Sequence, residues 1–216
     1  MARYSCVVWD WNGTLLDDME VCISVMNKLL EKRDLPLLDT KRYKEIFGFP
    51  VQNYYMELGF NFDQEPFEKI SREFISGYKK ENLYLKLRKD SIQALDLVRK
   101  EGIRQVILSA SQLENLQEQV RNLGVIDYFD NLLGLDHIHA TSKIDIGKRW
   151  IEESGFDKKE LLLVGDTLHD YETACGMGCD CILLANGHQS KERLSSLNVP
   201  VIESLMEVKS YLLIES

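Results

Sequence analysis

The chain has 216 residues, 44% of them hydrophobic and 28% charged, with a formal net charge of −9. That length and balance suit one large globular domain or a core carrying a smaller insertion, and they exclude a disordered chain. No basic run offsets the negative charge, which excludes a broad electrostatic grip on nucleic acid or an anionic membrane, so an anionic ligand would need a local cationic site.

Apolar runs such as residues 161–164 and 181–185 are strand-sized, far below the roughly 20 residues that span a bilayer. The chain start lacks the basic region and small-residue cleavage site of a signal peptide, and the expectation is a soluble, cytoplasmic protein with no membrane partner. An odd number of cysteines suits a reducing compartment, with Cys6, Cys22, Cys175, Cys179 and Cys181 as small buried apolar side chains. Cys175, Cys179 and Cys181 supply three sulfurs without spaced CxxC knuckles, so packing is favoured over zinc.

In chain order, residues 4–9 form the first short β-rich run, followed by residues 103–108, 132–135, 161–164 and 179–184, with helical stretches between them. This alternation predicts an α/β fold, a parallel sheet with helices on both faces. Leu113, Leu116, Val120 and Leu123 recur at helical spacing, opened by the capping pair Ser111 and Glu114 and closed by Gly124. About 90 residues separate the first two strands, where a simple crossover needs only a few tens. The insertion reads as helices, with Cys22, Val25, Met26 and Leu29 on one face and Phe67, Ile70, Phe74 and Tyr78 on another. Residues 1–16 and 86–216 are thus expected to form the core and residues 17–85 a small helical cap, with hinges near Leu15 and Lys86.

Asp10 lies at the carboxyl end of the first strand, where open α/β sheets place their ligand sites. Ser109 ends the second strand, Lys143 opens the helix after the third, and Asp166 ends the fourth with Asp170 one turn later. Each has a plainer reading: Asp10 and Ser109 could satisfy turn backbone, and Asp170 could complete a capping box with Thr167. Lys143 sits in the first turn of a helix, where the dipole disfavours a cation, and an anionic partner would explain it. Asp10, Asp166 and Asp170 brought together would repel one another, and such oxygen-rich clusters suit magnesium.

Asp10-Trp11-Asn12-Gly13-Thr14, Ser109, Lys143 and Gly165-Asp166-Thr167-Leu168-His169-Asp170 resemble the four ordered motifs of the haloacid dehalogenase-like hydrolases. The resemblance covers the whole chain, and the phosphoglycolate phosphatase and β-phosphoglucomutase branch is the most similar, with Phe47-Gly48-Phe49-Pro50 falling where that branch carries a substrate-facing turn. It implies a Rossmann-like core with an inserted helical cap and a Mg2+-dependent phosphatase acting on a small phosphorylated metabolite. Asp10 would attack phosphorus to form an aspartyl phosphate, with magnesium held by Asp10, the Asn12 main-chain carbonyl, Asp166 and, directly or through water, Asp170. Ser109 and Lys143 would bind the transferring phosphoryl oxygens, Gly13 would give the tight turn and Thr14 would brace it.

The departure is Asn12, because family phosphatases place an aspartate there to protonate the leaving alcohol and activate water. An amide does neither. Two other readings follow: a catalytically weak phosphometabolite-binding protein, or a phosphonate-cleaving relative. The phosphonate branch shows tryptophan after its nucleophile, as Trp11 does here, but needs a Schiff-base lysine in the cap where this chain has Val51, with Lys44 upstream. His137, His139, His169 and His188 receive no catalytic role.

Overall fold

The computed structural model describes residues 2–135 and 142–213, so His137 and His139 lie outside the described residues. Strand β1 (Cys6–Trp9) is followed by the two-residue strand β2 (Leu16–Asp17), helices α1 (Met19–Glu31), α2 (Thr40–Ile46), α3 (Val51–Glu57) and α4 (Phe67–Lys80), and a second two-residue strand, β3 (Lys86–Leu87). Helix and strand then alternate: α5 (Ser91–Lys100), β4 (Arg104–Gln112), α6 (Leu113–Asn122), β5 (Asn131–Leu135), α7 (Lys143–Ser154), β6 (Leu161–Gly165), α8 (Leu168–Met177), β7 (Asp180–Leu184), α9 (Lys191–Leu194), β8 (Val201–Ile202) and α10 (Lys209–Leu212).

Six strands form one sheet in the order β5-β4-β1-β6-β7-β8, every neighbouring pair parallel, as the alternation predicts. The period of two in each strand divides its side chains between two layers. Val7, Trp9, Ile107, Leu162, Val164, Ile182 and Leu184 join a cluster with Leu95, Val98, Leu116 and Val120 from α5 and α6. Cys6, Val8, Val106, Leu108, Leu161, Leu163, Cys181 and Leu183 join a second with Ile146, Trp150, Ala174 and Met177 from α7 and α8. Both faces of the sheet are therefore covered, which is why these strands read as continuous apolar runs. Each fully buried Val, Leu or Ile contributes roughly 1.5–3 kcal/mol, so the layers hold the strand ends rigidly.

Helices α1–α4 pack round their own cluster, including Val25, Met26, Leu30, Leu38, Tyr43, Tyr54, Tyr55, Leu58 and Ile70. The chain leaves and re-enters the sheet layers through β2 and β3, which pair antiparallel with Leu16 opposite Leu87 and Asp17 opposite Lys86. Leu15, Leu16 and Leu85 remain buried in the first core cluster, so both crossings are anchored to the core.

Several details differ from the sequence expectations. Strand β4 runs past Leu108 to Gln112, with a register shift against β5 between those two residues. Gly134 permits it: a Cβ there would lie 2.8 Å from both Leu113 Cα and the Ser111 carbonyl oxygen. Consequently Ser111 is strand rather than cap; α6 begins after Gln112 with no side-chain cap, and the expected Ser111–Glu114 box is absent. The two-residue strands β2, β3 and β8 have no periodicity for the sequence to display. Cys6 and Cys181 are buried, but Cys22 and Cys179 are only partly so and Cys175 is exposed, which corrects the expectation for those three.

Candidate active site

The carboxyl ends of β1, β4 and β6 and the amino end of α7 meet on one edge of the sheet. Asp10 follows β1 directly and is fixed by its backbone N–H, which donates to the Val164 carbonyl at 2.8 Å. The next residues form a tight turn in which the Trp11 carbonyl accepts from the N–H groups of Leu15 at 3.1 Å and Leu16 at 2.9 Å. Gly13 has φ of +81°, and a Cβ there would lie 2.4 Å from both Asp166 Oδ2 and His188 Cδ2, so only glycine lets the turn pass so close. Thr14 Oγ1 donates to Asp166 Oδ1 at 3.0 Å, and the His188 N–H donates to Asp166 Oδ2 at 2.6 Å.

Carboxylate oxygens of Asp10, Asp166 and Asp170 lie within 4.8 Å of one another, all three residues buried. Lys143, only 3% exposed, stands in the first turn of α7 behind the N-cap Ser142. Its Nζ donates to Asp10 Oδ1 and Asp170 Oδ1, each at 2.5 Å. The anionic partner that its helix position called for is therefore present. Asp170 also completes the capping box with Thr167: its Oδ2 accepts from the N–H groups of Asp166 and Thr167 and from Thr167 Oγ1. The capping role thus takes one oxygen of Asp170 and the ion pair with Lys143 the other.

Burial pushes the Asp10 carboxyl up to about 8 against the pull of Lys143, with Asp170 and Asp166 adding to the rise. Burial likewise raises Asp166 to about 6, opposed by His188 and reinforced by Asp170. Burial works against Asp170 too, but the Lys143 charge and the hydrogen bonds from Lys143 and Thr167 hold it below the usual carboxylate range. Lys143 pays a burial penalty that Asp10 and Asp170 outweigh, and it stays cationic. Lys143 and His188, the latter shared with Asp18, thus face three buried acids of the cluster, a shortage of positive charge that a cation among these oxygens would relieve.

Asn12 is held from both sides. Its Nδ2 donates to Asp18 Oδ2 at 2.8 Å and to the Tyr78 hydroxyl at 3.1 Å, while its Oδ1 accepts from Ser111 Oγ at 2.8 Å and, at the limit of 3.5 Å, from Ser109 Oγ. Both amide hydrogens are therefore committed. Ser109 Oγ also accepts from the Ser111 N–H at 3.1 Å.

Asp18 and His188 join this cluster without any warning in the sequence. Asp18 Oδ1 accepts from the Gly13 N–H at 3.0 Å and lies 3.2 Å from His188 Nε2, and its Oδ2 accepts from the Tyr78 hydroxyl at 2.6 Å. Burial opposes both charges, yet the pairing wins: Asp18 is held low, by His188 and by hydrogen bonds from His188, Tyr78 and Asn12, and His188 is raised to about 9 by Asp18 and Asp166. His188 Nδ1 lies 2.8 Å from the Tyr43 hydroxyl of α2. His169 is elsewhere, stacked on Phe49 with ring centroids 4.4 Å apart. The Phe47 carbonyl accepts from Gln189 Nε2 at 2.9 Å and Arg193 Nη1 at 2.7 Å, so the turn at residues 47–50 rests on the core loop after β7 and on α9.

A family model described as haloacid dehalogenase-like hydrolase matches residues 7–184. An N-acetylmuramic acid 6-phosphate phosphatase of Pseudomonas aeruginosa is 23% identical over 190 residues, 86% of this chain and 84% of its own. A phosphoglycolate phosphatase of Neisseria gonorrhoeae is 24% identical over 196 residues, 88% of this chain and 83% of its own. The solved structure of a haloacid dehalogenase-like family protein from Streptococcus pneumoniae has the same fold, with a TM-score of 0.85 at 19% identity over 97% of this chain and 98% of that one.

Proposed function

The chain belongs to the haloacid dehalogenase-like hydrolase family, and from that premise we propose that it is a magnesium-dependent phosphatase of a small phosphorylated metabolite, acting through Asp10. The observation that carries the reading is the buried carboxylate cluster of Asp10, Asp166 and Asp170, balanced within the protein by Lys143 alone among the described lysines. Its all-oxygen donor set and deficit of positive charge fit Mg2+. Asp10, Asp166 and the Asn12 main-chain carbonyl would hold the ion, with Asp170 contributing directly or through water by the one oxygen its capping box leaves open. When bound, magnesium would polarise the phosphoryl group and offset charge developing on its oxygens.

Among the described residues, the hydrogen bond to the Asp10 carboxylate arrives at Oδ1, which leaves Oδ2 to attack phosphorus. A P–O bond forms at Asp10 as the ester P–O bond breaks and the leaving oxygen departs with the bonding pair, taking its proton from water since Asn12 has none to give. Water then attacks the aspartyl phosphate, releasing inorganic phosphate and restoring the carboxylate. Lys143 fixes Asp10 and, with Ser109, binds the transferring oxygens. Gly13 and Thr14 hold the turn and the Asp166 carboxylate in place. Residues 17–85 serve as the cap, closing through the turn at residues 47–50 and selecting the leaving group.

Asn12 lends a second reading its support, because an amide with both hydrogens engaged neither protonates a leaving alcohol nor activates water. On that reading the protein binds a phosphometabolite and turns it over feebly. The phosphonate-cleaving alternative needs a cap lysine at the cluster, whereas among the described residues the lysine bonded there is Lys143 of the core. A panel of phosphate esters together with phosphonoacetaldehyde, assayed with and without Mg2+, separates the three. Magnesium-dependent phosphate release from esters supports the phosphatase, binding without release supports the sensor, and turnover of the phosphonate alone overturns both.

A further inference from the structure

Beside the carboxylate cluster lies a chemically different group of donors. Asp18 follows the crossing strand β2 at the N-cap position of α1, Cys22 is one turn into α1, and His188 belongs to the core loop after β7. One donor atom from each lies within 4.8 Å of the other two, and Asp18 and His188 are buried. From this geometry we infer that Asp18, Cys22 and His188 form a second metal site, selective for a thiophilic divalent cation such as Zn2+, that ties the helical lobe to the core.

The spacing suits the ion. Zinc bonds of roughly 2.0–2.1 Å to nitrogen or oxygen and 2.3 Å to sulfur in a tetrahedron place neighbouring donors about 3.3–3.5 Å apart. Asp18 Oδ1 and His188 Nε2 are 3.2 Å apart, Cys22 Sγ is 3.7 Å from the other carboxylate oxygen, Oδ2, and one donor atom from each residue lies within 4.8 Å of the others, so a small rotation of the carboxylate or thiol completes the set. Three protein ligands would leave the fourth position to water.

A second observation is the crowding at Asp18. Its carboxylate meets five donors: the Gly13 N–H, His188 Nε2, Asn12 Nδ2, the Tyr78 hydroxyl and the Cys22 thiol. A carboxylate offers about four lone-pair sites. One divalent ion replacing the protons of His188 Nε2 and Cys22 Sγ reduces the competing hydrogen donors to three. The exchange balances: Zn2+ enters, two protons leave, and the net charge of the group is unchanged. With Nε2 on the metal, the His188 Nδ1–H would donate to the Tyr43 hydroxyl 2.8 Å away, the kind of outer partner that fixes a ligating imidazole. Sulfur and imidazole discriminate against Mg2+, so the two sites would sort their ions by softness.

Cobalt(II), added to the metal-free protein in the presence of excess Mg2+, is the probe. The expected result is saturation at one equivalent with intense visible bands of tetrahedral cobalt and a thiolate-to-cobalt charge-transfer band in the near ultraviolet. Cys22→Ser should lose the charge-transfer band and weaken binding by more than the roughly 10- to 100-fold that loss of an outer partner costs, the loss expected for Tyr43→Phe. Cys175→Ser and Asp10→Asn should keep the band. In the unmodified protein, Zn2+ should slow alkylation of Cys22 while leaving exposed Cys175 unprotected, a readout that does not depend on any variant folding. Absence of a tetrahedral cobalt spectrum, retention of the charge-transfer band in folded Cys22→Ser, or an unchanged alkylation rate at Cys22 would each overturn the site.

Discussion

At the scale of single residues, the centre of interest is the carboxylate that stands at position 18 while position 12 carries an amide. Asn12 Nδ2 and Asp18 Oδ2 are 2.8 Å apart, so an aspartate at 12 would press two carboxylates into one buried site, where like charges raise one pKa sharply. Asn12→Asp alone should therefore leave alkyl-phosphate turnover unchanged or lower it. The exchange Asn12→Asp with Asp18→Asn preserves the pair and should raise that turnover by up to roughly 10²- to 10⁴-fold, the range of acid–base catalysis. Steady-state kcat on an alkyl ester decides, and a full gain from the single substitution would show that Asp18 does not constrain position 12. Gly13→Ala forces a Cβ to within 2.4 Å of Asp166 Oδ2 at a positive φ, and should lower stability by roughly 1–3 kcal/mol in urea unfolding. Unchanged unfolding would mean the turn relaxes freely. The meeting of Asp10, Lys143, Asp166 and Asp170 was legible because strand ends and a helix start announce themselves in sequence, whereas Ser109 was expected at a strand end and lies within β4, which runs on to Gln112. Asp18 and His188 were not legible: their pairing depends on how the helical lobe meets the core, which no local pattern encodes.

At the scale of elements, the turn at residues 47–50 is docked rather than free. Arg193 Nη1 donates to the carbonyls of Phe47 and Lys44, both at the carboxyl end of α2, where the dipole also favours a cation. Arg193→Ala should release that turn and raise KM for the best ester more than it lowers kcat; equal KM values would place the docking outside substrate binding. Exchanging residues 48–53 for another sequence should change which ester is preferred, since the cap turn rather than the core is expected to meet the leaving group. A preference that survives several exchanges would move the pocket elsewhere. The buried parallel strands were readable from their apolar runs, and α1 and α4 from their helical spacing. The continuation of β4 through Ser111 was not, because it depends on Gly134 of the neighbouring strand rather than on the β4 sequence itself.

At the scale of the whole molecule, two apolar layers clamp a parallel sheet whose strand ends carry the acids, and a helical lobe with its own cluster sits over them. The rigidity of those layers keeps the three carboxylates together despite their mutual repulsion. Leu163→Ala, which empties a fully buried position on β6 two residues before Gly165, should cost roughly 2–5 kcal/mol. A denaturation midpoint shifted by much less would mean that the layer collapses round the void. Among the described residues the three carboxylates of the acidic cluster all belong to the core, while Asp18, Tyr78 and Tyr43 of the lobe reach the edge of the site through Asn12 and His188. The most direct test of the central claim is rapid quenching of the protein and Mg2+ with an activated aryl phosphate, followed by mapping of the phosphorylated peptide. The predicted result is a burst of about one equivalent of phenolate, because no base at position 12 speeds hydrolysis, with the phosphoryl group on Asp10. A phosphoryl group on any other residue, or no phenolate released at all, would contradict it.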